Sequence, residues 1–302
     1  MPTPEPEAPR TGAILAALFA VVVWGGSFIA TKISVGEAAP ITVVWLRFGM
    51  GVAVMGAVVL ARRQLSLPAK GDLAYFALLG FLGIAFHQWL QSNGLVTSQA
   101  TTTSWIVAST PIFMALLGWM ILGERVRPLA ALGIAVAAAG VLVVATRGDL
   151  SSLAAGRLGA PGDWLILASA PNWAIFSVLS RRGLRRYPSA AMMFWVMTFG
   201  WLLSGVLFLA GPGISDVSRL SARGWMAVVF LGVFCSGLAY VFWYDALRRL
   251  PSSQVGTFLY IEPLVTVVIA AMMLGERLTI PTLAGGVAIL VGVWMVSLRK
   301  PG

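Results

Sequence analysis

The chain has 302 residues, 59% of them hydrophobic and only 11% charged, against roughly 25% charged in ordinary soluble domains, so a typical soluble protein is excluded. One cysteine (Cys235) and one histidine (His87) are too few for a disulfide framework, a CxxC redox pair or an ordinary zinc site; no metal and no cofactor is expected. The net charge of +10 raises nucleic acid as a partner, and the placement of the basic residues must decide.

The first ten residues, MPTPEPEAPR, are proline-rich and acidic and lack both the basic n-region and the cleavage site of a secretory signal. They read as a disordered cytoplasmic tail. Apolar segments then follow at 11–35, 39–61, 71–93, 99–122, 127–146, 162–181, 189–210, 222–246, 252–274 and 279–298. Each is long enough to cross a bilayer, which takes about 20 apolar residues. The expected fold is an all-α integral membrane protein with ten transmembrane helices and no sizeable soluble domain.

Cytoplasmic loops retain Lys and Arg during insertion. Fourteen basic residues fall on the side of the N-terminus, among them the cluster Arg181, Arg182, Arg185 and Arg186, and six on the other side, with Arg47 inside a span. Both termini are therefore expected in the cytoplasm. The basic clusters serve as topology anchors, and nucleic acid drops out as a partner.

The two halves repeat. A shift of 152 residues lays Thr110–Arg147 on Glu262–Arg299 without a gap. It matches Pro111 with Pro263, Leu122–Arg125 with Leu274–Arg277, Gly133 with Gly285 and Gly140 with Gly292. Residues 11–147 form one repeat, 148–161 an extracytoplasmic connecting loop, and 162–299 the other repeat. Five spans per repeat is an odd number, so the second copy enters upside down, as in many secondary transporters whose site lies near the midplane between repeats.

The LGER tetrapeptides at Leu122–Arg125 and Leu274–Arg277 each close a span containing a proline and precede a glycine-spaced helix. With the WGGSF run at Trp24–Phe28, Lys32, and Leu46–Phe48, they resemble the paired EamA signature of the drug/metabolite transporter superfamily. The likeness covers the chain after the tail and is nearest to ten-helix bacterial amino-acid exporters, the aromatic type included. It implies alternating-access export of small metabolites. The opening helix of the second half, with Pro171–Trp173 in place of WGGSF, departs from that pattern.

Polar groups inside a span are costly, of order 2.5–3.5 kcal/mol for a central charge, and face a cavity or a partner. Glu262, before Pro263, reads as a contact for a substrate amine, as a protonatable gate, or as a brace for the proline kink. Arg47 reads as a fork for a substrate carboxylate or as a snorkelling residue, and Lys32 as a snorkelling anchor. His87 and Gln91 lie on one α-helical stripe with Gly80, Gly83 and Gly94. The shift sets Trp243 opposite Gln91, on a second stripe with Gly232, Ser236 and Tyr240. Trp24, Trp105 and Trp173 sit deep in their spans beside Gly25, Ser104 and Asn172, as pocket walls or packing residues. Ser27, Asn172 and Tyr260 complete the candidate set. The small-residue rows Ala131, Ala135, Ala139 and Ala284, Ala288, Gly292 are expected at helix contacts. Pro111, Pro171, Pro263 and the Gly25–Gly26 pair are expected as bending points.

Export of small amphipathic metabolites, foremost amino acids, is the leading reading, with proton coupling left open. A lipophilic-cation or multidrug exporter would use the same aromatics with Glu262. A membrane-embedded enzyme is the reading of another class, and HExxH, GxSxG and GxxxxGK motifs are all missing from the sequence.

Overall fold

The computed structural model describes residues 10–122, 128–149, 159–250, 255–256 and 258–297, and among these there are helices and no strand. Helix α1 (Arg10–Val35) is followed by α2 (Pro40–Ala61), α3 (Leu73–Gly80), α4 (His87–Thr97), α5 (Ala100–Val107), α6 (Thr110–Leu122) and α7 (Pro128–Thr146). The second half contributes α8 (Pro161–Leu184), α9 (Ser189–Ala210), the short α10 (Gly213–Val217), α11 (Ala222–Val229), α12 (Ala239–Arg249), α13 (Glu262–Leu274) and α14 (Ile280–Ser297). In hydrocarbon every backbone polar group must be satisfied within the chain, and a helix apolar on all sides does this locally.

Seven helical stretches among the described residues are long and apolar enough to cross a membrane: Thr11–Val35, Pro40–Ala61, Lys70–Thr97, Ala100–Leu117, Pro128–Thr146, Ser189–Ala210 and Ala222–Arg249. Helix α8 has 24 residues but carries Asp163, Arg181 and Arg182 toward its ends. Leu259–Leu274 and Ile280–Val296 are shorter apolar helices. The protein is a multi-pass membrane protein.

Two of these stretches are not plain α-helices. Phe81–Phe86 between α3 and α4, and Phe230–Leu238 between α11 and α12, are π-helical. The 152-residue shift carries the first segment to 233–238, inside the second. The proline-bearing spans also differ from simple kinked rods. The fourth stops at Val107 and restarts at Thr110, so Pro111 opens a new helix. Pro263 likewise opens α13, after the 3-10 turn Leu259–Ile261. In a first turn the missing proline N–H leaves no broken bond. Pro171, expected as a bending point, lies inside the continuous α8.

Helix α1 runs unbroken through Gly25 and Gly26. Gly25 lets α1 approach α13: a Cβ there would stand 2.8 Å from Val265 Cβ and 2.9 Å from the Glu262 carbonyl. Thr266 Oγ1 donates to the Gly25 carbonyl at 2.8 Å across the same contact.

The most extensive helix pairing joins α7 to α14. A Cβ on Gly133 would lie 2.6 Å from the Gly292 carbonyl, and one on Gly140 would lie 2.6 Å from the Gly285 carbonyl. The seam is Gly133, Ala137 and Gly140 against Gly285, Ile289 and Gly292, all buried. This corrects the expected rows, since Ala131, Ala135, Ala139 and Ala284 are exposed. On a helix this rich in small residues several stripes satisfy the same spacing, and the stripe that admits a facing carbonyl is the one used.

Candidate functional site

In each π segment one carbonyl accepts a hydrogen bond from a side chain of the other half. Asn172 on α8 donates Nδ2 to Leu82 O at 2.8 Å, and Trp24 on α1 donates Nε1 to Cys235 O at 3.0 Å. Widened helical turns of this kind survive in an apolar interior when another donor replaces the lost bond. Asn172 and Trp24 thereby lock the first helix of each half to the bulged helix of the other.

Arg47 of α2 lies between the two bulges and is only 5% exposed. Its Nε donates to Ser236 Oγ at 3.1 Å and its Nη1 to Gln88 Oε1 at 3.0 Å, and the guanidinium carbon stands 5.1 Å from the Phe48 ring centroid. Gln88 and Ser236 are buried as well. Among the described residues no carboxylate forms an ion pair with Arg47. The buried charge is thus held by two neutral acceptors, one from each half.

Aromatic rings adjoin it. Trp24 contacts Tyr240 and Trp243, with centroids 5.4 and 5.2 Å apart. Tyr240 is within electrostatic reach of both Arg47 and Glu262. His87 packs on Trp173 at 4.7 Å, and Trp173 on Phe176 at 4.8 Å. Glu262 is half-buried at the start of α13, and its carboxylate makes no hydrogen bond or ion pair among the described residues. Trp24, Tyr240 and Trp243 are thus in ring contact, with Tyr240 within electrostatic reach of Arg47 and of Glu262, and His87 within electrostatic reach of Arg47.

Other candidates lie apart or are engaged differently. Trp105 is buried in another cluster with Val267, Ile289 and Val293, its ring filling the space over Gly286, and Tyr260 packs against that same cluster. Ser27 and Gln91 are half-buried, and their side chains form no hydrogen bond among the described residues. Gln88, absent from the sequence-based set, is the residue that reaches Arg47. The stripe through His87 and Gln91 assumed an unbroken 3.6-residue period. A widened turn adds a residue and rotates everything after it by about 100°, so position 88 takes the face assigned to 87. The polar His87–Gln88 pair was the available signal.

The two ends of the molecule are closed by polar contacts. At the end where α1 begins, Arg62 makes a two-pronged pair with Asp245 at 2.7 and 2.8 Å, and Asp72 receives bonds from Arg186 at 2.9 Å and Tyr187 at 2.7 Å. A cavity of about 300 Å³ opens beside Arg62, Gln64, Ser189, Tyr244 and Asp245. At the other end Lys32 is engaged by backbone: its Nζ donates to Leu95 O, Val96 O and Ser98 O at 2.7, 3.2 and 2.7 Å. A cation there satisfies carbonyls orphaned at the end of α4. Glu276 accepts from the Ala100 and Thr101 amides at 2.8 and 3.0 Å and so caps the start of α5, and Asp163 accepts from Ser98 Oγ. The second LGER motif thus has a mechanical reading. Leu274 ends α13, Gly275 at φ 65° supplies the left-handed stop, and Glu276 reaches across to α5. The first copy, from Gly123 to Arg125, lies outside the described residues.

A family model described as the EamA-like transporter family matches residues 11–146 and 160–298. An uncharacterized transporter of Archaeoglobus fulgidus is 26% identical over 280 residues, covering 93% of this chain and 95% of the relative. A protein of Streptantibioticus cattleyicolor named a probable terminal-alkyne amino-acid exporter is 27% identical, with 96% and 95% covered. A probable amino-acid metabolite efflux pump of Salmonella typhimurium is 28% identical, with 92% of each chain covered. One solved crystal structure shares the fold at a TM-score of 0.66 and 23% identity, over 95% of this chain and 96% of that one.

Proposed function

The chain belongs to the EamA-like transporter family, and on that basis we propose that it exports small amphipathic metabolites, foremost amino acids with apolar or aromatic side chains, across the bacterial inner membrane. Membership makes it a membrane transporter, and that supports the transport reading over a membrane-embedded enzyme. The observation that carries the substrate class is Arg47. A guanidinium out of water without a counter-ion is expensive, and a substrate carboxylate would supply that counter-ion through a bidentate pair. Trp24, Tyr240 and Trp243 offer apolar and cation–π surface for the rest of such a molecule, and Glu262 a partner for its ammonium group. Two of the relatives are named for amino acids or their metabolites, which supports the same reading.

The ten-span reading, in two inverted five-helix repeats with both termini in the cytoplasm, gains support from the α7–α14 seam. Under the 152-residue shift the Gly133–Gly292 contact maps onto the Gly285–Gly140 contact, and both approaches are present. A pseudo-twofold between antiparallel copies requires that reciprocity. Alternating access would then open the Arg62–Asp245 end and the Lys32–Glu276 end in turn.

A lipophilic-cation exporter is the second reading, favoured by the unbonded Glu262 beside the aromatic group. Reconstitution in liposomes with amino acids, quaternary ammonium compounds and nucleotide sugars, with and without a pH gradient, separates the two. Carboxylate-dependent uptake is expected. Uptake of quaternary ammonium compounds alone would refute the amino-acid reading, and a response to the gradient would establish proton coupling.

A further inference from the structure

We propose that Gln88 is a built-in stand-in for the substrate: its amide oxygen occupies the carboxylate place on Arg47, and substrate binding displaces it. This rests on the amino-acid reading above and deepens it by naming the residue that competes with the substrate carboxylate for Arg47 and couples binding to movement.

The guanidinium has five N–H donors in a planar fork. Two are used, one on Ser236 Oγ and one on Gln88 Oε1. Both partners are neutral, so each bond is weaker than one to a carboxylate, whose charge-assisted hydrogen bonds are roughly twice as strong. An amide oxygen is the same shape as one carboxylate oxygen without its charge. It shields the guanidinium between transport cycles, yet it is a poorer acceptor than the group it stands in for.

The position of the two acceptors gives the exchange a mechanical consequence. Gln88 lies two residues after the first π segment, and Ser236 lies within the second. Arg47 therefore ties together the bulged helices of the two halves. A carboxylate that takes the fork from Gln88 cuts one side of that tie. The freed helix α4 is the one whose far end is held by Lys32, through the Leu95 and Val96 carbonyls. Substrate arrival at Arg47 is thus linked along a single helix to the polar closure beyond it.

The test uses purified full-length protein and two probe pairs differing only in the carboxylate: L-phenylalanine with phenethylamine, and L-leucine with isoamylamine. Gln88→Glu gives Arg47 a tethered carboxylate. It should raise the melting temperature, weaken binding of the amino acids by at least about tenfold, and leave the amines within about threefold of wild type. Gln88→Leu keeps the bulk and removes the acceptor, and it should bind the amino acids at least about threefold more tightly than wild type, because nothing must be displaced; unchanged amino-acid binding in this variant overturns the proposal. Wild-type amino-acid binding in Gln88→Glu overturns the proposal, as does loss of amino-acid binding in a folded Gln88→Leu, which would make Gln88 a direct substrate contact. Should Gln88→Glu fail to fold, Gln88→Leu alone decides by the same criterion. If wild-type protein binds the amines but neither amino acid, the amino-acid reading fails and this inference with it, an outcome distinct from failure in the variants alone.

Discussion

Adding one methyl group at Gly140 should destabilise the protein, whereas the same methyl at Gly12 should not. At Gly140 the new Cβ would stand 2.6 Å from the Gly285 carbonyl oxygen and 2.9 Å from the Ile289 amide nitrogen. Both are backbone atoms of α14, so no side chain can swing aside. An ordinary contact needs about 3.5 Å, so the two helices must part by about 1 Å along a seam that includes the reciprocal Gly133–Gly292 approach. Overpacking of this kind costs about 1–3 kcal/mol, against a gain of about 1 kcal/mol for alanine over glycine in a helix. Gly140→Ala should therefore melt lower, by roughly 2–5 °C. A Cβ added at Gly12 would meet nothing within 4 Å, and there only the helix gain remains. The buried Cys235 thiol provides the assay, since a thiol-reactive dye reports unfolding as it becomes accessible. A melting temperature for Gly140→Ala at or above wild type would refute the backbone contact between α7 and α14.

In a Cys235→Ser background, a cysteine placed within 122–127 should be protected from an impermeant external reagent and one within 274–279 labelled; labelling of both from one side would end the inverted-repeat reading. Glu276→Ala should lower the melting temperature in line with a lost helix cap of about 0.5–2 kcal/mol, and Lys32→Met should act in the same direction, with unchanged melting in both refuting the capping role. Glu262→Gln should keep the wild-type melting temperature but lose transport; wild-type flux in the variant would remove Glu262 from the site. Trp24→Phe, which keeps an aromatic ring but loses the N–H and part of the indole's bulk, should destabilise by at least about 1 kcal/mol, the Cys235 carbonyl losing its donor, and a silent result would refute the bond as a structural tie.

Much of the site is legible in the residue pattern. An arginine inside a span, a glutamate before a proline and tryptophans away from the interface are each expensive or unusual in hydrocarbon, and of these candidates the structure puts Trp24 against Tyr240 and Trp243 and buries Arg47 on Gln88 and Ser236. What misleads is the assumption of a constant helical period. Gln88 is hidden because a π segment shifts the register just before it, and nothing in FLGIAF announces a widened turn. Lys32 reads only as a snorkelling anchor and Glu276 only as part of a motif, because their partners are backbone groups far along the chain, and backbone groups leave no mark in a residue pattern.

The helical class, the membrane setting and the family follow from composition, segment length and a repeated motif, which are sums or matches along the chain and need no knowledge of contacts. The same repeat marks Gly133, Gly140, Gly285 and Gly292 as equivalent positions. It took the packed helices to show which stripe of α7 meets α14, that Trp24 and Asn172 serve the bulged turns, and that Arg47 is shared between the halves. Those are relations between residues up to 211 positions apart. They depend on where each helix departs from ideal geometry, and a difference of one residue per turn redirects every side chain that follows.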